Sequence, residues 1–170
     1  MKTVLSKQDI HRLLKQEPPL IEDYINLKEQ VQPNGFDLTL REVAMLQSPG
    51  TIPVENSQRL VSDLAPLVFG GLGFIDLMAG AYIITYNEIV HIPRNIIALA
   101  TPRSSLLRCG VMVNTAVWDA GYSGRSQSLM VVHNPQGFRV QRNARVVQLF
   151  FIKLTQETEG YQGIYQKENI

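Results

Sequence analysis

Asp119 lies in the stretch NTAVWDAGYSGRS, Asn114 to Ser126, and is the only carboxylate between Glu88 and Glu157. Arg94, Arg103, Arg108, Arg125, Arg139, Arg142, Arg145 and Lys153 all fall in the same interval. A single acid among so many cations suits an anionic substrate and one residue reserved for proton chemistry. Nearby cations favour the charged form of a carboxylate, so Asp119 reads as a base or water-orienting group rather than a proton donor. It ends a β-like run and precedes a glycine-rich turn, where a side chain can be held while its surroundings stay open. The same pattern also fits an aspartate that only bonds its own backbone in the AGYSG turn.

Upstream, TPRSSLLRCG (101–110) reads as a short helix capped by Ser104 and ended by Gly110. Hydroxyls and free N–H groups at Ser104 and Ser105, with Arg103 and Arg108 beside them, suit phosphate oxygens. A helix-capping serine flanked by solvated arginines explains these residues equally well. RNARVVQLFF, Arg142 to Phe151, follows with further basic residues.

Other chemistries are excluded by residues that are missing. One cysteine, Cys109, cannot supply the cysteine pair of a zinc nucleobase deaminase, nor a disulfide framework. It is expected to be a small buried residue of a protein from a reducing, cytoplasmic compartment. The chain lacks a G-x-x-x-x-G-K-[ST] loop and a G-x-S-x-G elbow. His11, His91 and His133 are too scattered for a metal cluster and read as structural or surface residues. A net charge of +1 argues against a general nucleic-acid binder. The start, MKTVLSKQDIHRLLKQ, has no apolar core of a secretory signal, and Leu64 to Tyr86 contains Pro66, glycines and Asp76, which argue against a membrane span.

The elements that must position these residues are mainly strands. Ser6 caps a short helix carrying Ile10, Leu13 and Leu14, which Pro18 and Pro19 end. The segments GFDLTL, AYIITYNEIVHIP, NIIALATP, GVMVNTAVW, SLMVVHN, FRVQ and RVVQLFFIKL are rich in Val, Ile, Tyr and Phe and are separated by turn formers. Asn134 to Gly137, NPQG, reads as a hairpin turn, and residues 64–75 as an apolar glycine-rich loop. The expectation is one mainly antiparallel β domain over 1–170.

In order along the chain, GFDLTL, TPRSSLLRCG, NTAVWDAGYSGR and NARVVQL resemble four motifs of the trimeric dUTP diphosphatase and dCTP deaminase superfamily, most closely its archaeal-type dUTP diphosphatases. The tail YQGIYQ is similar to the deaminase-like C-terminal arm, not to the glycine-rich fifth motif of conventional dUTP diphosphatases. The resemblance implies a distorted jelly-roll β-barrel with few short helices, a homotrimer with shared sites, and hydrolysis of dUTP to dUMP and pyrophosphate with Mg2+. It implies that Asp119 activates the attacking water, that Tyr122 leaves no room for a 2′-hydroxyl, and that Ser104 contacts the phosphates with Arg103, Ser105 and Arg108. Arg145 and Gln148 match the fourth motif, and Asn114 belongs to the arm that reads the base. Magnesium would be held mainly by the triphosphate and waters. Asp37 is open to two readings, assistance to the metal through a water or a turn residue beside a strand.

In the tail, Tyr161 and Tyr165 offer stacking surfaces between Gly160 and Gly163, so 159–170 is expected to be a flexible arm that orders over bound nucleotide. Deaminases of the superfamily need a glutamate on the strand after the third motif, where this chain reads RSQSLMVVHN without an acid. That absence favours the diphosphatase over a deaminase or a bifunctional enzyme. Asp119, Tyr122 and Gln148 speak against a non-catalytic deoxynucleotide-binding regulator on the same fold. The apolar VVQLFFI run offers surface for self-association.

Overall fold

A computed structural model of the chain describes residues 3–170. Among these, thirteen strands run in chain order: β1 Ile21–Glu22, β2 Val31–Gln32, β3 Gly35–Leu46, β4 Leu64–Pro66, β5 Phe74–Leu77, β6 Gly80–Tyr86, β7 Ile89–His91, β8 Ile96–Pro102, β9 Val111–Asn114, β10 Ser123–Gly124, β11 Gln127–Val132, β12 Phe138–Gln141 and β13 Arg145–Lys153. Three short α-helices accompany them: α1 Lys7–Leu13, α2 Leu27–Gln30 and α3 Ser104–Arg108.

The strands wrap into a nearly closed, distorted jelly roll built around β3. Phe36 to Thr39 pair with β13, and Leu40 to Met45 pair with β6, with a register shift between Leu40 and Glu42. That irregularity turns one long strand from one partner to the next, the usual effect of a bulge. The sheet order β8-β13-β3-β6-β11-β9 therefore carries the second, third and fourth motif segments on or beside its strands. Inward residues Phe36, Leu38, Leu40, Ile84, Tyr86, Met130, Leu149 and Phe151 are fully buried. Each such side chain contributes about 1.5–3 kcal/mol through removal from water.

Ser6 caps α1 and forms a capping box with Asp9. The structure corrects four other expectations. NPQG does turn, Gly137 donating to the Asn134 carbonyl at 2.9 Å, but β12 leaves β11 and pairs with β5. Within 64–75, Leu64–Pro66 pairs with β3 and Phe74 opens β5, because backbone facing a sheet edge gains ladder bonds that a loop would lack. Cys109 is exposed, since it follows the last turn of α3, whose buried residue is Leu106. VVQLFFI is not an external apolar surface: Val146, Val147, Leu149 and Phe151 face the chain's own core. Among the described residues, no helix is long and apolar enough to cross a membrane.

Candidate functional site

Asp119 is positioned by its neighbours. Trp118, buried, exchanges backbone bonds with Ala98 at 2.9 and 3.0 Å, and its indole N–H donates to Ser126 Oγ at 2.9 Å. On the other side, Tyr122 N–H donates to the Asp119 carbonyl at 3.1 Å, and Gly121 and Tyr122 exchange bonds with Ile92. The backbone on both sides of Asp119 is thereby fixed while its side chain stays exposed. It lines a cavity of about 530 Å³ together with Asn114, Tyr122, Tyr161, Tyr165 and Glu168. Leu46, Val61 and Leu64, from the β3–β4 hairpin, form an apolar part of its wall.

The tail lies along this cavity in the same chain. Tyr161 N–H donates to the Ala120 carbonyl at 2.7 Å, and the Tyr161 ring meets the Tyr122 ring edge-on at 5.7 Å between centroids. Gln166 accepts from Ser123 N–H at 2.8 Å and donates to the Gly121 carbonyl at 2.9 Å. Gly121 and Gly160, at φ +82° and +86°, make the approach sterically allowed. A Cβ on Gly121 would stand 2.7 Å from the Gly160 Cα. Burial and the bond to Glu168 raise the Tyr122 pKa, burial most, and keep its hydroxyl a donor. Burial also raises the Glu168 carboxyl, against the lowering effect of the Tyr122 bond.

A second cluster is built on the ladder. Asp37, fully buried in β3, accepts from Arg103 and Arg145 through Oδ2, the latter at 3.4 Å. Gln148 stands opposite Asp37 in the β3–β13 register. Burial, and after it the charge of Arg145, lowers the Arg103 pKa. One carboxylate therefore holds two mutually repelling guanidinium groups side by side. Asp37 is accordingly no turn residue. Arg103, not Ser104, occupies the cap position of α3, leaving Ser104 and Ser105 exposed in its first turn. Arg108 donates back to the Ser104 carbonyl at 3.0 Å.

The structure thus brings Asn114, Asp119, Tyr122, Tyr161 and Tyr165 to one cavity and Arg103, Arg145, Gln148 and Asp37 to another cluster. None of Arg103, Ser104, Ser105, Arg108, Arg145 and Gln148 lines the cavity of the same chain. Three of the other cations are engaged elsewhere. Arg125 pairs with Asp23 at 2.7 Å, Arg139 lies near Asp76 and over Phe74, and Arg142 lies over Phe69. The basic interval is therefore not a uniform surface of free cations, because guanidinium groups packed on a fold are stabilised by rings and acids nearby. Glu168 and Gln166 were not found from the sequence, since a polar residue near a chain end gives no periodic signal.

The dCTP deaminase-like family model matches residues 4–154. A probable deoxyuridine 5′-triphosphate nucleotidohydrolase of Methanosarcina mazei is 50% identical over 167 residues, covering 98% of both chains. One of Archaeoglobus fulgidus is 47% identical over 167 residues, again covering 98% of both. In fold, the chain is similar to the 2′-deoxycytidine 5′-triphosphate deaminase of Agrobacterium tumefaciens, with a TM-score of 0.65 at 22% identity, covering 89% of this chain and 48% of that one. It therefore spans about half the length of that deaminase chain. With the family model spanning nearly the whole barrel and relatives matched from end to end, the chain belongs to the dCTP deaminase-like family.

Proposed function

We propose that the protein hydrolyses dUTP to dUMP and pyrophosphate, with Asp119 as the base that activates water for attack at the α-phosphate. The observation that carries this reading is the exposed Asp119 carboxylate on a cavity of about 530 Å³, a nucleotide-sized volume, with the backbone fixed on both sides. The names of the archaeal relatives support it. Asn114 can both donate and accept toward uracil, and the Tyr122 ring is the surface against which the sugar is selected. Ser104, Ser105, Arg103, Arg108, Arg145 and Gln148 bind the phosphates, and Tyr161 and Tyr165 cover the nucleotide.

A single chain separates these two groups, so the reading includes a homotrimer in which one copy supplies the cavity and its neighbour the arginine cluster. Leu107, Met112 and Val117 support such association, because they expose apolar side chains on α3, β9 and the loop before Asp119. Among the described residues no group of three or more His, Cys, Asp or Glu is placed to hold a metal ion. Magnesium fits as a companion of the triphosphate, with the unpartnered Oδ1 of Asp37 suited to accept from one of its waters. When bound, the ion would neutralise phosphate charge.

One observation favours a second reading: Glu168 adds a carboxylate to the cavity that a deaminase could use as a proton shuttle. Its bond to Tyr122 and the absence of any acid on β11 weigh against that use. Incubation with dUTP, dCTP, dTTP and UTP under magnesium, followed by chromatography, tests both. The expected products are dUMP and pyrophosphate from dUTP. Uracil nucleotides formed from dCTP would turn the assignment to a deaminase or bifunctional enzyme, and dUTP binding without turnover to a regulator.

A further inference from the structure

The tail delivers one carboxylate to a specific atom of the cavity. Tyr122 Oη donates to Glu168 Oε1 at 2.7 Å, while the Glu168 backbone carbonyl accepts from Arg125 N–H at 2.9 Å. The residue is thus fixed at both its backbone and its side chain. Its two neighbours, Lys167 at φ 61° and Asn169 at φ 55°, both take the left-handed conformation without being glycine. Such conformations cost free energy and persist where surrounding contacts over-determine them. Those contacts are present. Lys167 N–H donates to the Ser123 carbonyl at 2.7 Å, and Asn169 Nδ2 donates to the Arg125 carbonyl at 2.9 Å. Gly124 leaves the space, since a Cβ there would stand 2.6 Å from Tyr122 Oη and 3.2 Å from Glu168 Cγ. A tail that merely covered an opening would need none of these features at one side chain.

We infer that Glu168 is a specificity-positioning residue: it holds the Tyr122 hydroxyl, and so fixes the ring that separates 2′-deoxyribose from ribose in the same chain's cavity. The inference rests on the proposed hydrolysis of dUTP with Tyr122 against the sugar. It extends that reading by making the tail a determinant of sugar selectivity in addition to a cover. An unfastened ring can tilt and admit a 2′-hydroxyl; a fastened one cannot.

The test compares kcat/KM for dUTP and UTP in the full-length protein and three variants. Glu168→Ala should narrow the dUTP preference about tenfold, the order expected for losing one hydrogen bond to a charged group. Tyr122→Phe should narrow it similarly, and the double variant should show no further loss, since both changes remove one interaction. Glu168→Gln keeps an acceptor and should retain most of the preference. A role confined to tail docking would slow both nucleotides equally and leave their ratio unchanged, and that result would overturn the inference while leaving the diphosphatase reading intact. Additive losses in the double variant would overturn it as well. Unmutated protein that fails to cleave dUTP at all would sink the underlying reading, and this inference with it.

Discussion

Asp37, Arg103 and Arg145 stand on or beside β3, β8 and β13, strands joined residue by residue in one sheet. Asp119 and Tyr122 stand instead on a loop, tied by pairs of backbone bonds to residues 92 and 98, with the last residues of the chain lying along its cavity. The first cluster can change shape only if a ladder breaks. In the second, Trp118 and Tyr122 are anchored in the core, so it is the cover over the cavity that can change when the tail departs. A phosphate-binding surface gains from the first kind of support, since charge must be met by donors already in place. A pocket that must open for entry and close for chemistry gains from the second.

Removing the proposed base should have the largest effect. Asp119→Asn keeps the shape of the loop and is expected to cut turnover of dUTP by about two orders of magnitude or more while leaving binding measurable by calorimetry. Wild-type turnover in this variant would move the base elsewhere. Next comes the tail: ending the chain after Thr158 removes every contact made by residues 159–170 and should lower turnover about tenfold or more, with the oligomer intact by light scattering. Full activity would reduce the tail to a passive end and erase the contrast between the two regions.

A mixing experiment sharpens it further. Asp119→Asn and Arg103→Ala should each be nearly inactive alone, one lacking the proposed base and the other a proposed phosphate donor. If the cavity and the arginine cluster meet only between copies, subunits exchanged between the two preparations should recover activity severalfold above either. Recovery absent after demonstrated exchange would place both functions within one chain.

The smallest effect concerns two fully buried carboxylates, Asp37 on β3 and Glu88 between β6 and β7. Asp37 meets arginines, whereas Glu88 meets only neutral donors: Gln30 Nε2 at 2.6 Å, Thr39 N–H at 2.8 Å and Thr39 Oγ1 at 2.6 Å. Burial raises the Glu88 pKa, and its hydrogen bonds offset this only in part. The folded state therefore holds the proton more tightly than the unfolded chain. The associated stability is complete below the unfolded value of about 4.3 and is lost as pH rises through the raised folded value. Glu88→Gln should flatten that decline, shifting the thermal midpoint by a few degrees at neutral pH relative to acid. A decline unchanged in the variant would assign it to other groups.

Local pattern was enough for the elements. Ser6 and Asp9 mark the start of α1 because a capping box is closed within one turn, and the Val-, Ile- and Phe-rich runs mark most long strands because side chains alternate about the sheet. The loop carrying Asp119 and Tyr122 was legible for the same reason: its residues are close in sequence and meet one cavity. Pairings over long separations were decided by the tertiary structure. Asp37 and Arg145 are 108 residues apart, and nothing near either indicates that burial in a shared sheet will bring them together. Nor does composition reveal that Arg125, Arg139 and Arg142 pair with acids or rings, that β12 chooses β5, or that Glu168 reaches Tyr122 across 46 residues. A sequence encodes the preferences of each segment, but the partner of a charge or a strand edge is whichever one packing leaves within reach.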